Sequence, residues 1–389
     1  MTPRGEKAVP IGGSVDPAFT AVQAAFAENF SSRGELGAGV CVVVDGRTVV
    51  DLWGGWRDGQ RQHPWQRDTL VNVFSIGKAV AAVCVARLVG QGALAFDDPV
   101  ARYWPEFGRQ GKSSITIRQL LSHQAGLPAV RAVLPPRTVF DWEAMCAALA
   151  AQSPWWEPGT AHGYHVNTFG FLVGELVRRA TGRTLGTMVR QEITGPLGSD
   201  FFVGLPAADL SRVAEFVGLA DAPTRRDDEL GDEAVMELHA YFNPPELSGS
   251  GVVNTVEWRQ AELPSTNGHA TARGIARLFE ALVAGGTYGG CEIVASGSLT
   301  EAVTETVYGD DLILHRPSRF GVGFQLTQAE RPLGPNRGSF GHFGAGGSLG
   351  FCDPEAKLAL GYAMNMMGPR WQNPRNQALV AACYSSLAG

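Results

Sequence analysis

Leu70-Val71-Asn72-Val73-Phe74-Ser75-Ile76-Gly77-Lys78 is the stretch from which the fold and chemistry of this chain are read. An apolar run suited to a buried strand ends at Ser75, and the apolar run Ala79–Leu88, broken only by Arg87, continues as a helix. A Ser and a Lys three apart in the first turn of a helix share one face. The hydroxyl then lies beside an amine that can take its proton, near backbone N–H groups that favour negative charge. That is the layout of a Ser-Lys nucleophile. The chain holds only four lysines, Lys7, Lys78, Lys112 and Lys357, so its positive charge is almost all Arg. Arg keeps its proton in proteins, whereas a desolvated Lys can lose it.

Composition narrows the class. The 389 residues suffice for two folded lobes, and 44% apolar with 18% charged residues describes an ordinary soluble globular protein. A net charge of −6 without any basic cluster gives no electrostatic reason to expect nucleic acid or an acidic membrane as partner. The N-terminus, Met1 to Lys7, runs into Pro10 and Gly12-Gly13 without an apolar signal core. The longest apolar stretch, around Ala79–Ala86, is far too short to span a bilayer, so cytoplasmic residence is the expectation. Cys41, Cys84, Cys146, Cys291, Cys352 and Cys383 are widely spread, with no Cys-x-x-Cys and no zinc spacing. They read as small buried hydrophobes in a reducing compartment, and neither a metal nor a cofactor is expected.

Working outward, Asp16-Pro17 reads as a helix start before Phe19, Val22 and Phe26. Ala38–Val44 and Thr48–Trp53 flank Asp45-Gly46, a strong hairpin signal. From Asp97 to Pro245 the pattern is helices and long loops, with helices at Ile117–His123, Val139–Ala151 and Phe169–Thr181. Another amphipathic helix spans Thr271–Gly285. Strands return at Gly321–Leu326, Ser339–Phe343, Gly347–Asp353 and Lys357–Asn365, before a closing helix at Arg375–Leu387. The expectation is an α/β (α+β) fold with one mostly antiparallel sheet built from both termini and flanked by helices. Residues 1–96 and 271–389 would form a discontinuous sheet domain and 97–270 an inserted helical lobe, with the active site in the cleft between them.

A Ser-Lys nucleophile also needs a proton relay and oxyanion donors. Tyr164 stands in the Gly-rich, polar stretch Pro158–Thr168, suited to a loop facing a cleft. Gly341-His342-Phe343-Gly344-Ala345-Gly346-Gly347-Ser348 carries glycines dense enough for another backbone or a ligand to approach closely. Ser75-x-x-Lys78, Tyr164 and this Gly-rich strand together resemble the serine β-lactamase and penicillin-binding-protein superfamily, class C-like proteins within it, and most closely the family VIII carboxylesterases. Thr116-Ile117-Arg118-Gln119-Leu120-Leu121-Ser122-His123-Gln124-Ala125-Gly126-Leu127-Pro128 resembles that family's TIRxLLSHxSGLP segment. Pro196-Leu197-Gly198 followed by Gly204-Leu205-Pro206 resembles its PLG…GLP segment. The resemblance covers roughly residues 35–370.

What the resemblance implies is a serine β-lactamase-like fold with Ser75 as nucleophile, Lys78 as its base and Tyr164 as proton relay. Ser75 N–H and Ala345 N–H would form the oxyanion hole, and His342-Phe343-Gly344 stands where β-lactamases have Lys-Thr-Gly, which makes His342 and Gly344 substrate contacts. Asn167 follows Tyr164 by three residues instead of the usual two; Asn167 and His165 are candidate substrate contacts. A neutral imidazole at 342 holds a substrate carboxylate poorly at pH 7, which favours small uncharged esters. The expected activity is therefore a serine carboxylesterase. An acyltransferase, a weak β-lactamase or D-amino-acid amidase, and an inactive binding protein on the same fold are the alternatives. Gly346-Gly347-Ser348-Leu349-Gly350 also fits the nucleophile-elbow pattern G-x-S-x-G, but that fold needs a later His, and none follows Ser348. His123, at the end of an apolar helix, reads as a structural histidine.

Overall fold

The computed structural model describes residues 9–219, 230–247 and 251–389. Near the N-terminus lie β1 Ile11–Val15, β2 Gly37–Val44, β3 Arg47–Gly55 and β4 Val71–Phe74. Then come β5 Phe201–Phe202, β6 Gly268–Ala270 and a small hairpin of β7 Thr287–Tyr288 and β8 Cys291–Glu292. The last six are β9 Val307–Asp311, β10 Arg316–Phe320, β11 Gln325–Leu326, β12 Phe340–Phe343, β13 Leu349–Asp353 and β14 Leu358–Met364. Nine of these form one sheet in the order β1-β3-β2-β14-β13-β12-β11-β10-β9, with every neighbour antiparallel. The two ends of the chain meet where β2 pairs with β14, Val40 opposite Tyr362. This is the sheet from both termini that the strand pattern predicts.

The Asp45-Gly46 turn joins β2 to β3 with both residues at positive φ, +49° and +73°, as a type I′ hairpin turn requires. Asp16 caps the first helical turn through its carboxylate and the Ala18 N–H, and a 3-10 turn Pro17–Phe19 leads into α1, Thr20–Ser32. The middle of the chain supplies α2 Ile76–Gly90, α3 Ile117–Leu121, α4 Trp142–Ala151 and α5 Thr168–Thr181. Thr116 and Gln119 close a reciprocal capping box at the start of α3. Besides the short β5 to β8, three strands of the nine-stranded sheet escape the sequence pattern. β1 carries two glycines, while β9 and β10 read Val-Tyr-Gly-Asp-Asp and Arg-Pro-Ser-Arg-Phe. All three lie at the ends of the sheet, where charged and small residues blunt an edge and erase the apolar alternation. The expected strand Gly321–Leu326 shrinks to Gln325–Leu326 because Gly321 N–H turns back onto Phe324 C=O.

The sheet is covered on both faces. The helix Ala272–Val283 packs against Gly39, Gly350 and Gly361, while α1 and the C-terminal helix Pro374–Ala388 lie together on the other side. A Cβ on Gly361 would come within 2.1 Å of the Ala272 carbonyl and 2.6 Å of Ala276 N, both rigid helix backbone. Gly361→Ala is therefore expected to lower unfolding stability by about 1–3 kcal/mol, the usual cost of overpacking, measured as a reduced urea midpoint at unchanged m. An unchanged midpoint would show that the helix moves away freely. Five of the six cysteines are buried as expected; Cys291, in the β7–β8 hairpin, is exposed, and all six thiols are free.

Candidate active site

β4 delivers Ser75. Its four residues are buried, and Phe74 turns the chain at φ +48° with its ring edge-on to Phe216 at 4.9 Å. A non-glycine residue in this region carries roughly 1–2 kcal/mol of strain, which the packed ring holds in place. Ser75 is the N-cap of α2, yet its side chain makes no capping hydrogen bond, so the hydroxyl is left for Lys78. Gly77 lets the first turn sit against the Pro264 carbonyl, which a Cβ would meet at 2.1 Å.

Lys78 is wholly buried. Its Nζ lies 3.2 Å from Ser75 Oγ and donates to the backbone carbonyls of Val166 at 2.6 Å and Ser265 at 3.3 Å. Burial pushes its pKa well below the usual lysine value of 10.5, with no carboxylate to offset it. A neutral amine has two N–H donors and one lone pair. In that form the two carbonyls, which can only accept, take both donors and the lone pair faces the Ser75 hydroxyl; in the charged form the third N–H donates to it.

Tyr164 is also fully buried. Its backbone N–H donates to Asp311 Oδ1 at 2.9 Å, and that carboxylate is fixed in turn by the N–H groups of Ile313 and Leu314 and by the Ser318 hydroxyl. The phenol ring is stacked on Phe320 and touched by the rings of His123, His342 and Trp371, and Lys78 Nζ stands 4.7 Å from its centre. The phenol oxygen has no hydrogen-bond partner. Burial raises its pKa well above 10; the neighbouring Ser75 hydroxyl pulls the other way.

The Gly-rich segment meets the Ser75 strand directly. A Cβ on Gly344 would lie 2.3 Å from the Val73 carbonyl, and Ser348 Oγ donates to that same carbonyl at 3.2 Å. Ala345 is thereby carried to the Ser75 end of β4. Ser348 is fully buried and opens β13, with no helix after it, so the nucleophile-elbow reading fails on local structure as well as on chain order. His342 Nδ1–H donates to the Phe343 carbonyl at 2.7 Å, which leaves Nε2 as an unpartnered buried acceptor. Burial first, and Lys78 second, hold its pKa at about 3, so the imidazole is neutral at pH 7.

Two expected substrate contacts are placed differently. His165 is buried with both ring nitrogens committed: Nδ1–H donates to Gly163 C=O at 2.6 Å and Nε2 accepts from Leu127 N–H at 3.0 Å. It has no polar atom to offer a substrate. Asn167 gives its Nδ2 to the Ala240 carbonyl at 2.8 Å, and only its Oδ1 is unpartnered. His123 behaves as a structural residue, with Nδ1 accepting the His165 N–H at 3.2 Å amid aromatic rings. Sequence reasoning missed Asp311, and it missed the Val166 and Ser265 carbonyls, which carry no side-chain signature. Among the described residues no group of three His, Cys, Asp or Glu could hold a metal ion, and no helix is long and apolar enough to cross a membrane.

Residues 22–383 match the beta-lactamase family. The chain belongs to the beta-lactamase family. This family member has the serine β-lactamase-like fold and is a serine hydrolase. It is 34% identical over 369 residues to the esterase/beta-lactamase LipL of Mycobacterium tuberculosis, covering 91% of this chain and 83% of that protein. Its structure is similar to that of a family VIII carboxylesterase at 40% identity, TM-score 0.89, over 97% of this chain and 100% of the other. A penicillin-binding protein homologue from Caulobacter crescentus matches at 42% identity, TM-score 0.89, with 97% and 100% covered. The resemblance drawn from the motifs is borne out at the level of family and fold.

Proposed function

We propose that this protein is a serine carboxylesterase that hydrolyses small uncharged esters through an acyl-enzyme on Ser75, in the cleft between the sheet of 1–96 and 271–389 and the helical part of 97–270. The observation that carries the reading is Lys78: fully buried, without a carboxylate partner, held by two backbone carbonyls and with its Nζ 3.2 Å from Ser75 Oγ. Likeness to a family VIII carboxylesterase and to an esterase/beta-lactamase supports it.

Lys78 takes the Ser75 proton as Oγ bonds to the ester carbonyl carbon, and the oxyanion rests on the N–H groups of Ser75 and Ala345. Tyr164 gives its proton to the departing alcohol as the C–O bond breaks, and Lys78 returns a proton to Tyr164. Water then attacks the acyl-enzyme, its proton passes to Lys78, and the acid leaves as Ser75 regains its hydrogen. A fluorophosphonate should label purified enzyme at Ser75, read by peptide mass spectrometry, and abolish p-nitrophenyl butyrate hydrolysis. Labelling elsewhere with activity lost would overturn the assignment.

The neutral His342 sets the substrate preference. A charge-assisted hydrogen bond to a carboxylate is worth about 1.5–3 kcal/mol, and this imidazole supplies none. We expect kcat/KM for a penicillin to fall about 10–150-fold below that for p-nitrophenyl butyrate. Comparable values would show that another cation holds the carboxylate.

A further inference from the structure

The carbonyls around Ala345 are held by side chains that no step above uses. Gly344 C=O accepts the Gly347 N–H at 3.2 Å, closing a turn in which Gly346 stands at φ +79°, ψ −10°. Because the C=O and N–H of one peptide point in opposite directions, this turn fixes where the Ala345 N–H is aimed. The turn is pinned from the far side. Gly346 C=O accepts three hydrogen bonds, from Gly368 N–H at 3.0 Å, Asn373 Nδ2 at 3.0 Å and Arg375 Nη2 at 3.2 Å. Gly347 C=O accepts from Asn376 Nδ2 at 2.9 Å. The Arg375 charge is matched by buried Glu35 at 2.9 Å, whose other oxygen takes the Tyr362 hydroxyl. Asn376 Nδ2 also donates to the carbonyl of Trp371, whose ring packs edge-on to Tyr164 at 5.0 Å.

We infer that Asn373, Arg375 and Asn376, at the first turn of the C-terminal helix, are positioning residues that hold the Ala345 N–H and the Tyr164 ring in register with Ser75. The inference rests on the reading of Ser75 and Ala345 N–H as the oxyanion donors. Its logic is that an oxyanion donor works only at a fixed distance and direction, while a glycine-rich turn left to itself samples many. The turn is buried, three donors on one carbonyl exceed its two lone pairs, and each of the three side chains is almost wholly buried.

The asparagines allow a clean test because each does two jobs through different atoms. Asn373 Oδ1 accepts the Arg375 N–H and Asn376 Oδ1 accepts the Asn373 N–H, forming the helix capping box. Their Nδ2 groups face the Gly346 and Gly347 carbonyls. Asn373→Asp and Asn376→Asp keep the cap acceptors and the shape, and replace each donor with a carboxylate oxygen that repels the glycine carbonyl it faces. Removing an oxyanion donor outright costs about 10²–10³ in kcat; displacing one should cost about 10–50-fold. We expect that loss in kcat with KM nearly unchanged, and an equal loss of affinity for an alkyl boronic acid that forms a tetrahedral adduct on Ser75. Circular dichroism confirms folding, and Asn376→Asp stands alone should Asn373→Asp fail to fold. Wild type labelled at Ser75 by fluorophosphonate, with folded variants of unchanged kcat and boronate affinity, overturns the positioning role alone. Wild type unlabelled at Ser75 overturns the nucleophile reading, and the positioning role with it.

Discussion

Lys78→Met should lower kcat for ester hydrolysis by about 10³–10⁴-fold, the loss typical of removing a positioned general base, with the fold intact. Ser75 would remain in place with no group to take its proton. The variant should also change how stability depends on pH. In the folded protein the Lys78 pKa lies well below 10.5, whereas in the unfolded chain it returns to that value. Between those two values the unfolded state binds the extra proton, so unfolding is favoured as pH falls and wild-type stability rises with pH up to about 10.5. Methionine has no such titration. The stability of wild type relative to Lys78→Met should therefore climb from neutral pH toward pH 10. The absolute offset is a balance, because methionine leaves the Val166 and Ser265 carbonyls without their N–H donors. The slope is not. Parallel stability curves in urea across that range would mean Lys78 is charged in the fold, and the neutral-base mechanism would fall.

That prediction joins what the sequence displays to what it conceals. Ser75 and Lys78 lie three apart on one helix, and local spacing alone predicts that they meet; the structure places them 3.2 Å apart. The hairpin at Asp45-Gly46 is legible for the same reason, since its turn is a contact within a few residues. What fits Lys78 to the proposed role of base is not local. Val166 and Ser265 contribute carbonyls 88 and 187 residues away, and every residue type has a carbonyl, so nothing in the sequence marks them. Asp311 is hidden differently: it ends the polar edge strand β9, whose composition does not read as a strand, and it fixes Tyr164 from 147 residues away. His165 shows the reverse error. Its neighbour Tyr164 makes it look like part of the cleft, but its two nitrogens brace the loop on which Tyr164 stands. Burial, which decides between those readings, is a property of the whole packing.

Tyr164→Phe should separate proton donation from nucleophilic attack. The phenol is wholly buried and its pKa is raised well above 10 by desolvation, so at neutral pH it carries its proton, which in the proposed mechanism makes it the acid and the amine of Lys78 the base. An alkyl alcohol is a poor leaving group unless it is protonated as it departs; p-nitrophenolate leaves without a proton. We therefore expect kcat for an alkyl butyrate to fall about 10²–10⁴-fold, and kcat for p-nitrophenyl butyrate to fall by less than about tenfold. Stability should hold or rise slightly, because the hydroxyl removed is a buried polar group without a partner. Equal losses on both esters would place Tyr164 in the activation of Ser75 instead. In that case the phenol, and not the amine alone, would have to receive the Ser75 proton, and the division of labour between the two residues would reverse.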